Sequence, residues 1–184
     1  MKDPLLMFII FYSVILLLSP TRYIPILPTI PVYPNNQEEV KVVERYVQSR
    51  NGYFTELFWR TDRSISHAFV DHVDESLNEL DDITVYPHIV FTMYFFKGII
   101  NRARPKQINR EMNTLASNTA TTPAYPSGHA LQAYYLAKIL SSRYPGKTEM
   151  FSKIAEDCAL ARVYAGHHYP SDNEFSKTIV DTFL

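Results

Sequence analysis

The stretch MFSKIAEDCALARVYAG, residues 150–166, decides the fold class of this chain. Met150, Ile154, Cys158 and Ala161 recur at spacings of four and three, the repeat of a helix that buries one stripe, and Gly166 is a natural residue to end it. The same grammar continues outward. Residues 130–140 form a second helical run, closed by Pro145 and Gly146, and Pro170 is placed to open a last helix reaching about Thr182, because proline suits the first helical position. Residues 83–100 are more apolar, interrupted by Pro87 and His88 and carrying Lys97. Asp62 is expected to cap a helix bearing Ile65, Phe69, Val73, Leu77 and Leu80. Asn36 with Glu39 resembles a capping box ahead of Val40, Val43 and Val47. Runs rich in β-branched residues are few and no internal repeat is visible. The expectation is an all-α bundle of roughly six helices over residues 36–184.

Composition narrows the function. The chain has 184 residues, room for one domain plus an appendage. Lys and Arg total 18 against 19 Asp and Glu, a net charge of −1, which argues against a nucleic-acid binder. Apolar residues at 46% and charged residues at 20% are those of a folded protein. Cys158 is the single cysteine, so neither an intrachain disulfide nor a cysteine-based metal site can be built. Nothing in the sequence sets an oligomeric state.

The N-terminus is unusual. Residues 5–18 read LLMFIIFYSVILLL, uncharged, yet as a helix they would span only about 21 Å of a hydrocarbon core roughly 30 Å thick. They read as an uncleaved single-pass anchor or as a signal peptide; Ser19-Pro20 is a poor cleavage site. Pro20, Pro25, Pro28, Pro31 and Pro34 then punctuate a semi-rigid spacer over residues 20–35, a stalk or a surface strap. Elsewhere only residues 83–100 approach the length of a membrane span, so the helical part is expected to lie in water.

Three clusters carry chemistry. KGIINRARPK, residues 97–106, together with Arg110 concentrates Lys97, Arg102, Arg104 and Lys106; Arg offers phosphate a planar fork of donors and Lys a mobile charge. Pro126-Ser127-Gly128-His129 opens a helix: Ser127 caps it, Gly128 lets a ligand approach the backbone, and free N–H groups there favour an anion. In ARVYAGHHYPSD, residues 161–172, Asp172 follows His168 by four, and a carboxylate accepting from Nδ1–H would leave Nε2 free as a nucleophile. His167 competes for that role. The adjacent histidines also raise a metal reading, but no H-E-x-x-H pattern accompanies them.

Taken together, Lys97-x6-Arg104-Pro105, Pro126-Ser127-Gly128-His129 and Arg162-x5-His168-x3-Asp172 resemble the three-part signature of the type 2 phosphatidic acid phosphatase superfamily, which joins lipid phosphatases, bacterial acid phosphatases and vanadium haloperoxidases. All three parts occur in the family's order and spacing, over about residues 84–175. The resemblance implies a helical fold of the acid phosphatase/haloperoxidase type. It implies metal-free phosphoryl transfer with no cofactor, with vanadate expected as an inhibitor. Lys97, Arg104 and Arg162, with Ser127 and the N–H of Gly128, would hold the phosphate oxygens. His168 would attack phosphorus, Asp172 would orient it, and His129 would protonate the leaving oxygen and later activate water. The implied partner is a phosphorylated lipid or a small phosphomonoester, met by a catalytic part outside the cytoplasm or in a lumen.

Two departures stand out. Ala161 occupies a position where the family often has serine, and Asn173-Glu174-Phe175 replaces the small residues that commonly follow the aspartate, so the last helix is expected to be brief or loosely docked. The rival readings are a catalytically degenerate phosphate- or lipid-binding membrane protein and, further off, a vanadate-dependent haloperoxidase, for whose added helices this chain has no room.

Overall fold

The computed structural model describes residues 32–184; the apolar run at 5–18 and most of the proline-rich stretch lie outside the described residues. What is described is helical, with no strand among the described residues. In chain order the helices are α1 (Asn36–Gln48), α2 (Gly52–Thr61), α3 (Leu77–Thr84), α4 (Pro87–Ile100), α5 (Pro105–Ile108), α6 (Gly128–Arg143), α7 (Thr148–Tyr164) and α8 (Pro170–Phe183). Short 3-10 turns occupy Ile65–Ala68, Val70–His72 and Pro145–Lys147. The all-α expectation holds, with eight described helices rather than six.

The core is built around α6. Leu131, Leu136 and Leu140 are fully shielded, and Ala130, Ala133 and Ala137 let neighbouring helices come close. Phe151, Ala155 and Cys158 of α7 pack on one side, Ile179 and Val180 of α8 on another, and Phe69, Leu80, Ile83 and Ile89 complete the cluster. Each large aliphatic or aromatic side chain removed from water here contributes about 1.5–3 kcal/mol before ordering costs. A smaller cluster seats Val40 and Val43 of α1 on Met112, Ala124, Val163 and Tyr169, which fastens the first described helix to the C-terminal end of α7.

Four expectations need correction. First, α2 was not foreseen: Asn51 caps it, its side chain accepting from the Phe54 N–H at 3.0 Å, and Phe58 and Thr61 are buried. Second, Asp62 ends α2 instead of starting a helix. The segment after it breaks into two 3-10 turns before α3, because Ser64 and Ser76 bond nearby backbone N–H groups and interrupt helical propagation. Ser76 and Glu79 form the capping box. Third, Asn35 and not Asn36 caps α1, and Glu39 turns inward instead of closing a box. Fourth, α8 is neither brief nor loose. It runs 14 residues, and its polar side chains are used internally: Asn173 Nδ2 donates to the Ala159 carbonyl at 2.8 Å and Ser176 Oγ to the Ser127 carbonyl at 2.9 Å.

Among the described residues no single helix is long and apolar enough to cross a membrane; Leu77–Thr84 with Pro87–Ile108, bent by 46°, reaches that length and composition only as a pair. Tyr86, Phe91, Phe95 and Phe183 are exposed.

Two backbone positions aim the site residues. Asn101 ends α4 in the left-handed region at φ 47°, a conformation asparagine tolerates better than most residues, and the turn sends Arg102 and Arg104 inward. Gly166 follows α7 at φ +81°, and a Cβ there would stand 2.8 Å from Thr114 Cγ2 and 3.3 Å from Val47 Cγ2. Gly166→Ala is therefore expected to lose about 1–3 kcal/mol of stability. Urea denaturation monitored by circular dichroism measures this, and an unchanged midpoint would contradict it.

Candidate active site

The three sequence clusters meet at the N-terminal end of α6. One comes from the turn after α4, one from the start of α6 itself, and one from the connection between α7 and α8.

His168 lies in that last connection, 3% exposed. Its Nδ1 is 3.0 Å from Asp172 Oδ2, one helical turn further on at the start of α8. Its Nε2 is 3.1 Å from Arg104 Nη1. A guanidinium only donates, so Nε2 must carry its lone pair, and the ring proton sits on Nδ1 and goes to Asp172. Burial, reinforced by Arg104 and Lys97, holds the His168 pKa well below its usual 6.5, so the ring is neutral at neutral pH.

The cations around it are buried. Arg104 Nε donates to the Thr122 carbonyl at 2.7 Å and Nη1 also to the His167 carbonyl at 3.0 Å; burial brings its pKa down to about 10. Lys97, 2% exposed, donates to the Pro123 carbonyl, and burial and Arg104 push its pKa well down. Among the described residues no carboxylate forms an ion pair with either of them, which leaves two buried cationic groups to be neutralised from outside. Arg162, in the last turn of α7, bonds Asp62 Oδ1 at 2.9 Å and the Thr61 carbonyl at 3.3 Å, its guanidinium 4.6 Å over the Phe58 ring. Its Nε is buried without a partner. Such an orphaned donor is costly unless a ligand completes it.

At the head of α6, Ser127 Oγ accepts from the Ala130 N–H at 3.4 Å. A Cβ on Gly128 would lie 2.6 Å from Met93 Sδ and 3.9 Å from Lys97 Cε, so Lys97 abuts the helix N-terminus. His129 Nε2 donates to the Asp62 carbonyl at 2.9 Å, and burial with Arg162 pushes its pKa well below 6.5. Arg104, His129, Arg162, His167 and His168 line one cleft, rimmed by Ser117, Thr119 and Ala120.

The structure thus gathers Lys97, Arg104, Ser127, Gly128, His129, Arg162, His168 and Asp172 at one place. His167 lines the same cleft but is committed elsewhere: its Nε2 donates to the Leu115 carbonyl at 2.8 Å, its ring stacks on Phe58, and burial lowers its pKa to about 4. Among the described residues no carboxylate accepts from it.

Three residues of this neighbourhood escaped the sequence reading. Asp62, taken for a helix cap, joins Arg162 to the rim, accepting from Ser117 Oγ at 2.8 Å and Thr119 Oγ1 at 3.1 Å. Arg102, noticed only as one basic residue among several, bonds Asp172 Oδ1 at 2.6 Å. Glu39, taken for part of a capping box, bonds Arg102 at 2.7 Å. Asp62 and Glu39 lie far from the motifs in sequence, and no local pattern marked them.

The crystal structure described as that of the first transmembrane PAP2-type phosphatidylglycerolphosphate phosphatase from Bacillus subtilis superposes with a TM-score of 0.56 at 17% identity, covering 98% of this chain and 91% of that one. At that identity the likeness concerns the fold. No curated protein matches the chain. The family model described as the PAP2 superfamily matches residues 84–179, more than half of the sequence and a span that holds all three clusters, and the chain belongs to that superfamily.

Proposed function

We propose that this protein is a metal-independent phosphatase that hydrolyses phosphomonoesters, lipid phosphates such as phosphatidate foremost, through a phosphohistidine on His168. The observation that carries the reading is the line Arg104–His168–Asp172. One end of the imidazole is anchored on a buried carboxylate, and the other presents a lone pair beside an arginine that has no carboxylate of its own.

In the first step the phosphate's non-bridging oxygens are held by Lys97, Arg104 and Arg162, whose free Nε supplies a donor, with Ser127 and the N–H of Gly128 at the helix N-terminus. The Nε2 lone pair of His168 forms the bond to phosphorus while the P–O ester bond breaks. The leaving oxygen takes its electrons and receives a proton from His129, and Asp172 stabilises the imidazolium through Nδ1–H. In the second step His129 takes a proton from water, water oxygen bonds phosphorus, and the P–N bond breaks. Fixed cations meet the charge on the transferring group, the largest need of this chemistry. An entering phosphate competes with Asp62 for Arg162.

The preference for a lipid rests on two supports. The apolar run at residues 5–18 is suited to tether the chain at a membrane, as an anchor or through export, with the helical part extracytoplasmic or lumenal. The structural neighbour is described as a phosphatase of a phospholipid.

Substitution tests the assignment of roles. His168→Ala is expected to lose activity on the order of 10⁴-fold or more and to form no acid-labile phosphoenzyme. His129→Ala should cost about 10²–10⁴-fold with an alkyl phosphate and less with p-nitrophenyl phosphate, whose leaving group needs little protonation. His167→Ala should retain most activity. A phosphoenzyme surviving in His168→Ala and lost in His167→Ala would move the nucleophile to His167.

The pH profile follows from the two depressed histidines and Asp172. His168 is active when neutral, and its lowered pKa keeps it so into the acid range, so the acid limb is set by Asp172, whose carboxyl burial raises to about 6 and which must be ionised to accept from Nδ1–H. His129 must carry a proton to act as acid, and its lowered pKa means that this form is lost as pH rises. The kcat/KM of the full chain should therefore peak on the acid side of 6.5, the usual histidine value, and fall above it. A maximum well above neutrality would contradict these protonation states.

Activity on phosphatidate in mixed micelles should survive EDTA and be blocked by vanadate, which adopts the five-coordinate geometry of the transition state. Loss in EDTA with recovery on adding a divalent cation would overturn the metal-independent mechanism. Comparison with p-nitrophenyl phosphate under the same conditions tests the preference for lipid.

A further inference from the structure

We infer that Arg102 and Glu39 are positioning residues for the nucleophile: Arg102 keeps Asp172 ionised and aimed at His168, and Glu39 holds Arg102 and offsets its charge. The inference rests on the phosphohistidine reading given above.

Arg102 cannot serve the phosphate itself. It is 0% exposed and each of its three guanidinium nitrogens donates to a neighbour within the protein. Nε donates to Asn36 Oδ1 at 2.9 Å, Nη1 to Asp172 Oδ1 at 2.6 Å and Ser171 Oγ at 2.8 Å, and Nη2 to Glu39 Oε2 at 2.7 Å. Its plane is held between the rings of Tyr33, 4.2 Å away, and Tyr169, 3.7 Å away. Glu39 is fixed in turn, accepting from the Ser171 N–H at 2.9 Å and Ser171 Oγ at 2.7 Å. Arg104, two residues on, faces the cleft; Arg102 faces the back of the catalytic carboxylate.

The division of labour within Asp172 is explicit. Oδ2 accepts from His168 Nδ1 and from the Tyr169 N–H at 2.9 Å, and Oδ1 is left to Arg102. With three donors facing its two oxygens, the ionised form is favoured, because a carboxyl proton would point at another donor. The carboxyl is 0% exposed, and burial raises its pKa to about 6; Arg102 is the strongest influence that keeps it from rising further. The other charged or titratable groups facing it are Lys97 from α4, Arg104 before α5, Tyr125 before α6, His168 and Tyr169 before α8, and, through Arg102, Glu39 from α1. Glu39 cancels the charge of Arg102, so the group of three retains one net negative charge to stabilise the imidazolium that forms when Nε2 attacks.

Opposite charge changes at the two residues should consequently move the acid limb of kcat/KM in opposite directions. With p-nitrophenyl phosphate and the full chain, Arg102→Gln is expected to raise that limb by about one pH unit or more, because Asp172 gains its proton earlier. Arg102→Lys, which keeps the charge but loses the fork, should raise it by less. Glu39→Gln should lower it by about half a unit, because the whole charge of Arg102 then bears on Asp172. Damage to folding alone would reduce the rate without such a signed displacement. The ¹³C carboxyl resonance of Asp172, assigned against Asp172→Asn, gives the same readout without turnover. If Arg102→Gln does not fold, Arg102→Lys and Glu39→Gln carry the test. Unmoved limbs, or limbs displaced in the same direction by Arg102→Lys and Glu39→Gln, overturn the inference. His168→Ala measured alongside separates the two ideas: if it remains active, the phosphohistidine reading fails, whereas an inactive His168→Ala with unmoved limbs in the other variants overturns only the positioning role.

Discussion

Asp172 is a fully buried carboxylate, and the architecture around the cleft is arranged to satisfy it. Its side chain accepts from Arg102, His168 and the Tyr169 N–H, and its carbonyl accepts from the Ser127 N–H at 3.2 Å and Ser176 Oγ at 2.7 Å. Those bonds tie α8 to the head of α6, to the turn after α4 and, through Arg102 and Glu39, to α1. An ion taken from water into such surroundings is expensive, and removing one partner of a buried pair typically costs about 3–5 kcal/mol because the survivor is stranded. The arrangement therefore constrains every element that supplies a partner. It also accounts for the docking of α8, whose serine, aspartate and asparagine look solvent-facing in sequence and are buried in the fold.

The helical class was legible because it depends on local periodicity. Met150, Ile154 and Cys158, or Leu136 and Leu140, announce an apolar helix face without reference to the rest of the chain, although the shielded face of α7 runs through Phe151, Ala155 and Cys158 with Met150 and Ile154 partly buried beside it. The site motifs were legible for a similar reason: His168 and Asp172 are one helical turn apart, and Ser127 caps the helix it precedes. The missed site residues depend on contacts between distant segments. Asp62 reaches Arg162 across 100 residues and Glu39 reaches Arg102 across 63, and neither spacing leaves a mark in a single sequence. The break after Asp62 was hidden by the opposite fault. Ile65, Phe69, Val73, Leu77 and Leu80 keep helical spacing, but serine side chains capture the backbone bonds that a continuous helix would need.

The cleft is electrostatically incomplete by construction. Lys97 and Arg104 are buried with only neutral acceptors, and Arg162 keeps one donor unused despite its pairing with Asp62. Preorganised charge of this kind costs stability in the empty protein and repays it when an anion arrives, which is how an electrostatic site gains strength without reorganising. Burial depresses the pKa values of His129 and His168, and the same cations reinforce it, repelling a proton as they attract an anion.

The position of α1 has a consequence for where the functional unit begins. The family match starts at residue 84, yet the carboxylates that accompany Arg102 and Arg162, Glu39 and Asp62, come from upstream of it. A fragment cut at that boundary would keep every signature residue and lose Glu39 and Asp62, two of the three carboxylates that pair with Arg102 and Arg162. Grafting or shortening this site therefore requires the first two described helices to travel with it. The smallest transplantable piece is set by charge balance, not by motif content.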